Sequence, residues 1–416
     1  MTGLPEPSRT TSPPQFELED LVVALHDRDQ VLYVLSHEYN VTPRNVRTDD
    51  ALGLALLEGL QGLPALVRPP TAWRQEDKPA WWPARTDIDV LLENLREYFA
   101  RQFNGWVPAM GKNREVTSVV AAPGGGGSRT LDVGNPEIPA EPPAPRRRRS
   151  SAGSGVRIGI LDALVYPHRR LEGHVAAEEL LFALADLRSH GPAWRPWEGH
   201  ATLVADIALQ QAPAAELVMR AVLSAEHGNA TAFDTARNMM TFAGAGIDIL
   251  NLSLGCRTLD GQPPFALAWA VDRLSPEVLV VAAAGNHGDR TGAEKDPVYP
   301  AALPDVVAVG ATERPGSQFS PKLPWVTCTA PGLNITGAYL AEDVLELDEA
   351  GRLTENTTRF PGYARWSGTS FAAAHVSGAI AAAMEPGKTA REALDTLLAE
   401  PNGTVRRYVY EPEKDA

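Results

Sequence analysis

Cysteine is scarce in this chain, which has only Cys256 and Cys328 among 416 residues. Two cysteines give neither a disulfide framework nor the spacing of a zinc site. We expect both to be reduced core residues, with a single disulfide between them as the alternative. Basic residues are also in the minority, because 38 Lys and Arg face 52 Asp and Glu and leave a formal charge of −14. This balance argues against a nucleic-acid partner.

Long apolar runs are missing as well. No stretch approaches the roughly 18 consecutive apolar residues of a membrane-spanning helix. Residues 1–14 are polar and rich in Pro, Ser and Thr, without the basic segment and apolar core of a secretory signal. We therefore expect a cytoplasmic protein without a membrane partner. Apolar residues still make up 44% of the chain, which is enough for a large packed core.

Changes in composition divide the chain into five segments. These are a disordered N-terminus (1–15), a small N-terminal domain (16–122), a linker rich in Gly, Pro and Arg (123–155), a large domain (156–405) and a C-terminal tail (406–416). In the small domain the clearest periodicity runs from Asp87 to Phe103, where apolar residues share one helical face. We predict that this domain is mainly helical. The four arginines 146–149 are interpreted as solvated charge, with a proteolytic cleavage site or nucleic-acid binding as alternatives.

The large domain alternates short apolar runs with helical segments. The predicted strands are 156–161, 217–223, 248–254, 278–284 and 306–310, and the predicted helices are 202–211, 230–243 and 265–274. Continuous apolar strands that alternate with helices indicate an α/β fold, a mainly parallel sheet with helices on both faces. Functional side chains in such a sheet lie outside the carboxyl ends of its strands.

Four polar residues occupy such positions. Each has a structural alternative: Asp162 ends a strand or caps a loop, His200 opens a helix or caps it, and Asn286 follows a strand in a Gly-Asn turn. Ser370 enters an Ala-rich helix after Gly368 and could simply be its N-cap. Together they would supply an orienting acid, a base, an oxyanion donor and a nucleophile.

The order Asp, His, Ser and the segment GTSFAAAHVSG (368–378) closely resemble the subtilisin-like serine proteases, whose nucleophile motif is G-T-S-x-A-A-P-H-V-x-G. The resemblance implies a serine endopeptidase that works through an acyl-enzyme. Ser370 would be its nucleophile, His200 its general base and Asp162 the residue that orients the imidazole. Asn286 would be the oxyanion donor. The alternative is a catalytically impaired binding or regulatory module of the same fold.

The resemblance also implies how substrate binds. A protein or peptide would pair as an extended strand with Ser253, Leu254 and Gly255. The side chain before the cleaved bond would lie against a pocket lined by Ala283, Ala284 and Gly285. The family needs no cofactor but often carries structural calcium. No calcium site is identified from this sequence, and the acidic stretch 342–349 is interpreted as a solvated hairpin.

The chain departs from the family pattern beside two of these residues. Ala163 and Leu164 follow Asp162 where the family has Ser or Thr and then Gly, and Ala201 follows His200 where the family has Gly. The resemblance leaves residues 1–155 unassigned. For the N-terminal domain we expect either a pro-domain or regulatory domain on a cleavable linker, or a module that binds a regulatory partner.

Overall fold

The computed structural model describes residues 17–63, 86–118, 134–144, 151–176, 193–258, 260–288, 296–312, 319–348 and 351–410. The predicted N-terminal disorder over 1–15 and the arginines 146–149 lie outside these residues. Within the described part of the chain, no helix is long and apolar enough to cross a membrane.

The N-terminal region is a sheet with two α-helices, and the prediction of a mainly helical domain was wrong. Its elements are β1 (Glu17–Ala24), α1 (Arg28–Glu38), β2 (Asn45–Asp49), β3 (Leu54–Glu58), α2 (Asp87–Gln102) and β4 (Met110–Ser118). The four strands pair antiparallel in the order β4-β1-β3-β2. The periodic segment after Thr86 is helical as expected, and Asp89 Oδ2 accepts a hydrogen bond from the Thr86 backbone N–H at 3.1 Å.

Burial on both faces explains why the segments 18–39 and 49–66, which contain β1 and β3, are interpreted from the sequence as helix or as mixed helix and strand. Leu21 and Val23 on β1 pack into a small N-terminal core, whereas Val22 between them packs into the core of the large domain. On β3, Leu57 belongs to the first core and Leu56 to the second. The positions 21–24 of β1 and 54–57 of β3 are therefore all apolar, and the two-residue alternation of a half-buried strand is lost there.

The large domain contains a parallel sheet. Its elements are β5 (Arg157–Asp162), α3 (His200–Gln211), β6 (Glu216–Ala221), β7 (Asn229–Thr231), α4 (Ala232–Met240), β8 (Ile249–Leu252), β9 (Leu254–Arg257), α5 (Phe265–Leu274), β10 (Leu279–Ala283), β11 (Val298–Tyr299), β12 (Val306–Thr312), β13 (Cys328–Pro331), β14 (Ile335–Ala338), β15 (Asp343–Leu347), β16 (Leu353–Arg359), β17 (Tyr363–Trp366), α6 (Thr369–Ala383), α7 (Ala390–Ala399) and β18 (Arg406–Arg407). Strands β13-β12-β10-β8-β5-β6 pair in parallel in this order, and β18 adds an antiparallel edge. The predicted α/β fold of this domain is confirmed.

Helix α6 lies against α3 at very close range. A Cβ added to Gly378 would stand 2.3 Å from the backbone oxygen of Ala208, so only glycine fits at this crossing. Cys256 and Cys328 are buried free thiols, and burial raises the pKa of each to about 12.

Strand β4 joins the two regions. Besides β1, it pairs antiparallel with β7 and with β9, both of which come from the large domain. In the second of these pairs Thr117 lies opposite Gly255 and Ser118 opposite Leu254. The N-terminal sheet therefore continues into the large domain through the strand that was predicted to bind substrate.

Candidate active site

Asp162 and His200 form a buried hydrogen-bonded pair. Asp162 is the last residue of β5, and His200 is the first residue of α3. The His200 Nδ1 atom lies 2.9 Å from Oδ1 and 3.1 Å from Oδ2 of the carboxylate. Both side chains are fully buried. With Nδ1–H donated to the carboxylate, a neutral imidazole carries its lone pair on Nε2, which is the arrangement that a general base needs.

The substitutions beside this pair leave its contacts in place. The backbone N–H of Ala163 donates to Asp162 Oδ1 at 2.7 Å, a contact that needs no particular side chain. The following loop is tied to α3, because Thr202 Oγ1 accepts from the Tyr166 N–H at 2.7 Å and donates to the Tyr166 oxygen at 3.2 Å. Thr202 was missed in the sequence, where its only signal was its place two residues after His200.

Glycine is required before His200 rather than after it. A Cβ on Gly199 would stand 2.2 Å from the ring of Tyr339, whose hydroxyl donates to the Pro196 oxygen at 2.6 Å. The methyl group of Ala201 is fully buried. The close approach of the turn to Tyr339 fixes where α3 begins and hence where the imidazole lies.

Ser370 is the second residue of α6 and is fully buried. Its backbone oxygen accepts from Ser253 Oγ at 2.9 Å, and its own Oγ lies 3.4 Å from the Ser253 oxygen. Behind it, Asn251 Nδ2 donates to Ser253 Oγ and Ser377 Oγ donates to Asn251 Oδ1, each at 3.0 Å. Sequence reasoning missed Asn251 and Ser377, although both are polar residues in otherwise apolar elements.

The imidazole lies beside the helix that carries the serine. The ring centre of His200 is 5.5 Å from that of Phe371 and 6.1 Å from that of Trp366. The His200 and Trp366 rings pack edge to face. Among the described residues, His200 Nε2 has no hydrogen-bond partner. Within the described part of the chain, His200 Nε2 is therefore left without a donor, and Ser370 Oγ lies against the Ser253 oxygen instead.

Asn286 is oriented by Thr369, the neighbour of the serine. Its Oδ1 accepts from the Thr369 N–H at 2.9 Å and lies 3.1 Å from Thr369 Oγ1. Its Nδ2 lies beside Gly368, because a Cβ added there would be 3.6 Å away. The donor end of the amide thus lies near the start of α6. Thr369 was missed as a positioning residue, and the nucleophile motif was its only signal.

The predicted substrate-binding residues lie on both sides of this centre. Ser253 contacts Ser370 directly, and Leu254 and Gly255 begin β9, whose edge is paired with β4. Ala283 ends β10, Ala284 follows it, and both are fully buried. Gly285 adopts φ +105, and its N–H donates to Thr369 Oγ1 at 3.0 Å. Their role as a pocket for a substrate side chain stays a prediction.

The described residues contain no group of three or more His, Cys, Asp or Glu side chains that could hold a metal ion. The acidic stretch forms β15 of the hairpin β15–β16, and Arg359 lies 3.3 Å from Glu342 and 3.2 Å from Asp343.

Comparisons with known proteins point to one family. The model of the subtilase family matches residues 153–405. A thermophilic serine proteinase from Bacillus sp. (strain AK1) is 29% identical over 271 residues, which are 63% of this chain and 61% of that protein. Subtilisin BL from Lederbergia lenta is 30% identical over 247 residues, which are 56% of this chain and 77% of that protein. The chain thus spans less than two thirds of the first relative.

A solved structure shares the fold over most of the chain. Fervidolysin from Fervidobacterium pennivorans, described as a keratinolytic enzyme related to subtilisin, superimposes with a TM-score of 0.55 at 16% identity. The superposition covers 93% of this chain and 58% of that chain. The shared fold therefore extends beyond the residues that the family model matches.

Proposed function

The chain belongs to the subtilase family of serine endopeptidases, and we propose that it hydrolyses peptide bonds through an acyl-enzyme on Ser370. One observation carries the proposal. The Asp162–His200 pair holds an Nε2 that has no partner in the described part of the chain, beside the helix whose first turn presents Ser370. The start of that helix also favours the negative charge that develops on the serine oxygen.

The reaction follows from these positions. His200 Nε2 accepts the proton of Ser370 Oγ, which attacks the carbonyl carbon of the peptide bond. The Asn286 amide and the Ser370 backbone N–H donate to the resulting oxyanion. When the carbon–nitrogen bond breaks, His200 returns the proton to the leaving amine. A water molecule, deprotonated by His200, then releases the acyl group, so no cofactor is required.

The structure of this chain supports a substrate bound as an extended strand. The edge formed by Ser253, Leu254 and Gly255 already accepts a strand, because Thr117 and Ser118 of β4 lie opposite Gly255 and Leu254. A peptide in the same register would direct its next residue toward Ser253 and Ser370. We place the pocket for that residue at Ala283, Ala284 and Gly285.

A fluorophosphonate probe tests the nucleophile, because it reacts with an activated serine. We expect the full-length protein to be labelled, and the Ser370→Ala variant to remain unlabelled. The His200→Ala variant should label far more slowly, because it lacks the base. If the wild-type protein stayed unlabelled under conditions that label an active subtilisin, the catalytic proposal would be wrong and a non-catalytic binding module would be the better description.

We also propose that the N-terminal domain, residues 16–122, inhibits the protease in cis. The supporting observation is that β4 takes the edge assigned to substrate. The contact is reinforced elsewhere, since Asn113 Oδ1 accepts from the Phe233 N–H at 3.0 Å and Trp269 Nε1 donates to the Leu52 oxygen at 2.8 Å. The domain boundaries, the linker 123–155 and the peptidase domain 156–405 remain part of this proposal.

Intact-mass measurement tests whether the domain is removed by the enzyme itself. We expect the wild-type chain to be cut within 119–155 and the Ser370→Ala chain to remain whole. Two uncut chains of the expected mass would contradict self-processing. The cytoplasmic location also remains a proposal, and fractionation of the producing cells would test it.

A further inference from the structure

Strand β4 approaches Ser370 along the edge of β9. Thr117 lies opposite Gly255 and Ser118 opposite Leu254, so β4 runs toward Ser253 as its residue numbers rise. Ser253 is hydrogen-bonded to Ser370. A substrate whose carbonyl is attacked by Ser370 would place the part that precedes the cleaved bond on this edge.

Residues 134–137 run away from the same region along the edge of a second strand, β17. This strand ends at Trp366, four residues before Ser370, and pairs with β14 on one side. On its other side Glu137 and Arg365 exchange two backbone hydrogen bonds, of 2.9 and 2.8 Å. Trp366 Nε1 donates to the Gly134 oxygen at 2.6 Å. Residue numbers from Gly134 to Glu137 therefore rise away from Ser370.

Side chains hold this segment, residues 134–144, in place. The Arg365 guanidinium pairs with the Glu137 carboxylate. The Asn135 side chain makes two hydrogen bonds to the backbone of Leu347, as a neighbouring strand would. Its Nδ2 donates to the Leu347 oxygen at 2.8 Å, and its Oδ1 accepts from the Leu347 N–H at 2.7 Å. At the far end, Arg170 Nη1 donates to the Ala144 oxygen at 3.1 Å.

We propose that the edge of β17 on which Glu137 lies, together with the end of β15, binds the part of the substrate that follows the cleaved bond, and that Arg365 selects an acidic side chain there. Residues 134–144 occupy this surface in cis and compete with substrate. The inference rests on the proposed protease function. It combines strand addition with the recognition of a carboxylate by arginine.

The chemistry of Arg365 supports an acidic partner. Its side chain is 43% exposed, so a substrate carboxylate can reach it. Its Nε is nevertheless buried and has no hydrogen-bond partner among the described residues. A carboxylate that bound through both of its oxygens would use this donor.

Peptide cleavage by the wild-type protein tests the selection. Quenched fluorescent peptides would carry Glu, Gln or Lys at each of the first four positions after the cleaved bond. At one of these positions we expect kcat/KM to be about two- to fivefold higher for Glu than for Lys, the factor that an exposed ion pair supplies. Arg365→Glu should reverse the order. Arg352→Glu, an equal charge change on the outer turn of the β15–β16 hairpin, should preserve it.

A second variant tests the competition by residues 134–144. Asn135→Ala removes both contacts with Leu347, so we expect KM to fall about two- to fivefold for peptides that extend four residues past the bond, with kcat unchanged. The control Glu141→Ala alters an exposed residue of the same segment and should leave KM unchanged.

Peptides that end one residue after the bond separate this inference from the catalytic proposal. They should be cleaved equally by the wild-type protein, Arg365→Glu and Asn135→Ala. If these short peptides are cleaved but the long ones show no acidic preference, or one that survives Arg365→Glu, the inference is wrong and the protease function stands. If no peptide is cleaved and the fluorophosphonate does not label Ser370, both the catalytic proposal and this inference are overturned.

Discussion

The amide of Asn286 can serve as an oxyanion donor only if its nitrogen faces the reacting carbonyl. Thr369 enforces this orientation, because both its N–H and its hydroxyl lie within hydrogen-bond distance of Asn286 Oδ1. The same hydroxyl accepts from the Gly285 N–H. One threonine thus ties the loop after β10 to the first turn of α6, and Asn286 and Ser370 are positioned as a unit.

Replacing Asn286 by leucine should lower kcat by roughly 10² to 10³, with KM nearly unchanged, because the donor acts only in the transition state. This range is the one known for the oxyanion asparagine of subtilisin, which belongs to the same family. Steady-state kinetics on matched preparations would measure the effect. Asn356→Leu, a change on the exposed hairpin, serves as the control, and a loss of less than about threefold in Asn286→Leu would remove the residue from the mechanism.

His375 lies in the nucleophile motif but belongs to the packing of α6. It is 8% exposed, its Nε2 lies 3.0 Å from Thr404 Oγ1, and burial lowers its pKa from 6.5 to about 4. Between these values the unfolded chain binds more protons than the folded one, so stability falls as the pH drops below 6.5.

Lowering the pH from 7 to 5 should reduce the free energy of unfolding by about 2 kcal/mol through the protonation of His375 alone. Urea unfolding at the two pH values, followed by tryptophan fluorescence, would measure it. His375→Gln should remove this contribution, whereas His227→Gln, at an exposed position, should retain it. Equal pH dependence in the wild-type protein and His375→Gln would contradict the prediction.

At the scale of elements, the crossing of α3 and α6 sets the distance between His200 and Ser370. His200 opens α3 and Ser370 lies in the first turn of α6. The helices meet where Gly378 approaches the Ala208 oxygen, with no room for a Cβ. Any side chain at Gly378 must therefore push the two helices apart.

We expect Gly378→Ala to destabilise the protein by about 1–3 kcal/mol, the usual cost of overpacking, although alanine favours a helix. Chemical denaturation would measure the change. The reverse exchange Ala382→Gly, at a partly buried position of the same helix, should cost about 1 kcal/mol through helix propensity. A Gly378→Ala protein as stable as the wild type, or more so, would show that the crossing can relax.

Five strands of the central sheet (β5, β6, β8, β10 and β12) could be predicted because each is a short apolar run between turn residues, whereas β13 and β18 were not predicted. The helix Phe265–Leu274 even has its predicted bounds. The N-terminal strands could not be recognised, since β1 is buried between two cores and is apolar at successive positions. Strand β4 was missed for the opposite reason. It carries Lys112, Asn113 and Arg114, which are buried only because partners from distant segments surround them.

Those residues of the candidate site that lie in local sequence motifs could be predicted. Ser370, His200 and Asp162 stand in recognisable sequence contexts, and the structure brings the last two into contact. The links made by Asn251, Thr202 and Thr369 depend on the register of separate elements, which the sequence does not encode locally. The same holds for β4 on the edge of β9, because that pairing joins segments more than a hundred residues apart.

For the whole molecule, the junction between the N-terminal region and the large domain contains buried charge. Asp260 of the large domain lies 2.6 Å from Arg114 and 3.2 Å from Lys112, and Lys112 also lies 2.7 Å from Asp89 of α2. The side chains of Lys112 and Arg114 are 4% and 5% exposed. Removing Asp260 would leave these two cations with fewer partners, which is costly in a buried setting.

Asp260→Asn should therefore lower the free energy that holds β4 in place by roughly 3 kcal/mol, the low end of the range for breaking a buried ion pair. In the uncleaved Ser370→Ala background, amide hydrogen exchange of residues 110–118 should accelerate by about 10². Asp272→Asn, an exposed carboxylate on α5, is the matched control. Unchanged protection of β4 in Asp260→Asn would mean that strand pairing alone holds the junction.

Acid should produce the same loosening in the unmodified chain. Burial alone would raise the pKa of Asp260, but Arg114 and Lys112 outweigh burial and lower the pKa from its usual 3.8. The pKa of Asp89 is lowered in the same way, because Lys112 opposes the effect of burial. The stabilisation is complete above pH 3.8 and is lost as the pH falls through the lowered values of the folded state. Exchange of β4, corrected for the intrinsic rate, should therefore accelerate below pH 3.8 in the Ser370→Ala protein, and Asp260→Asn should show a smaller acceleration.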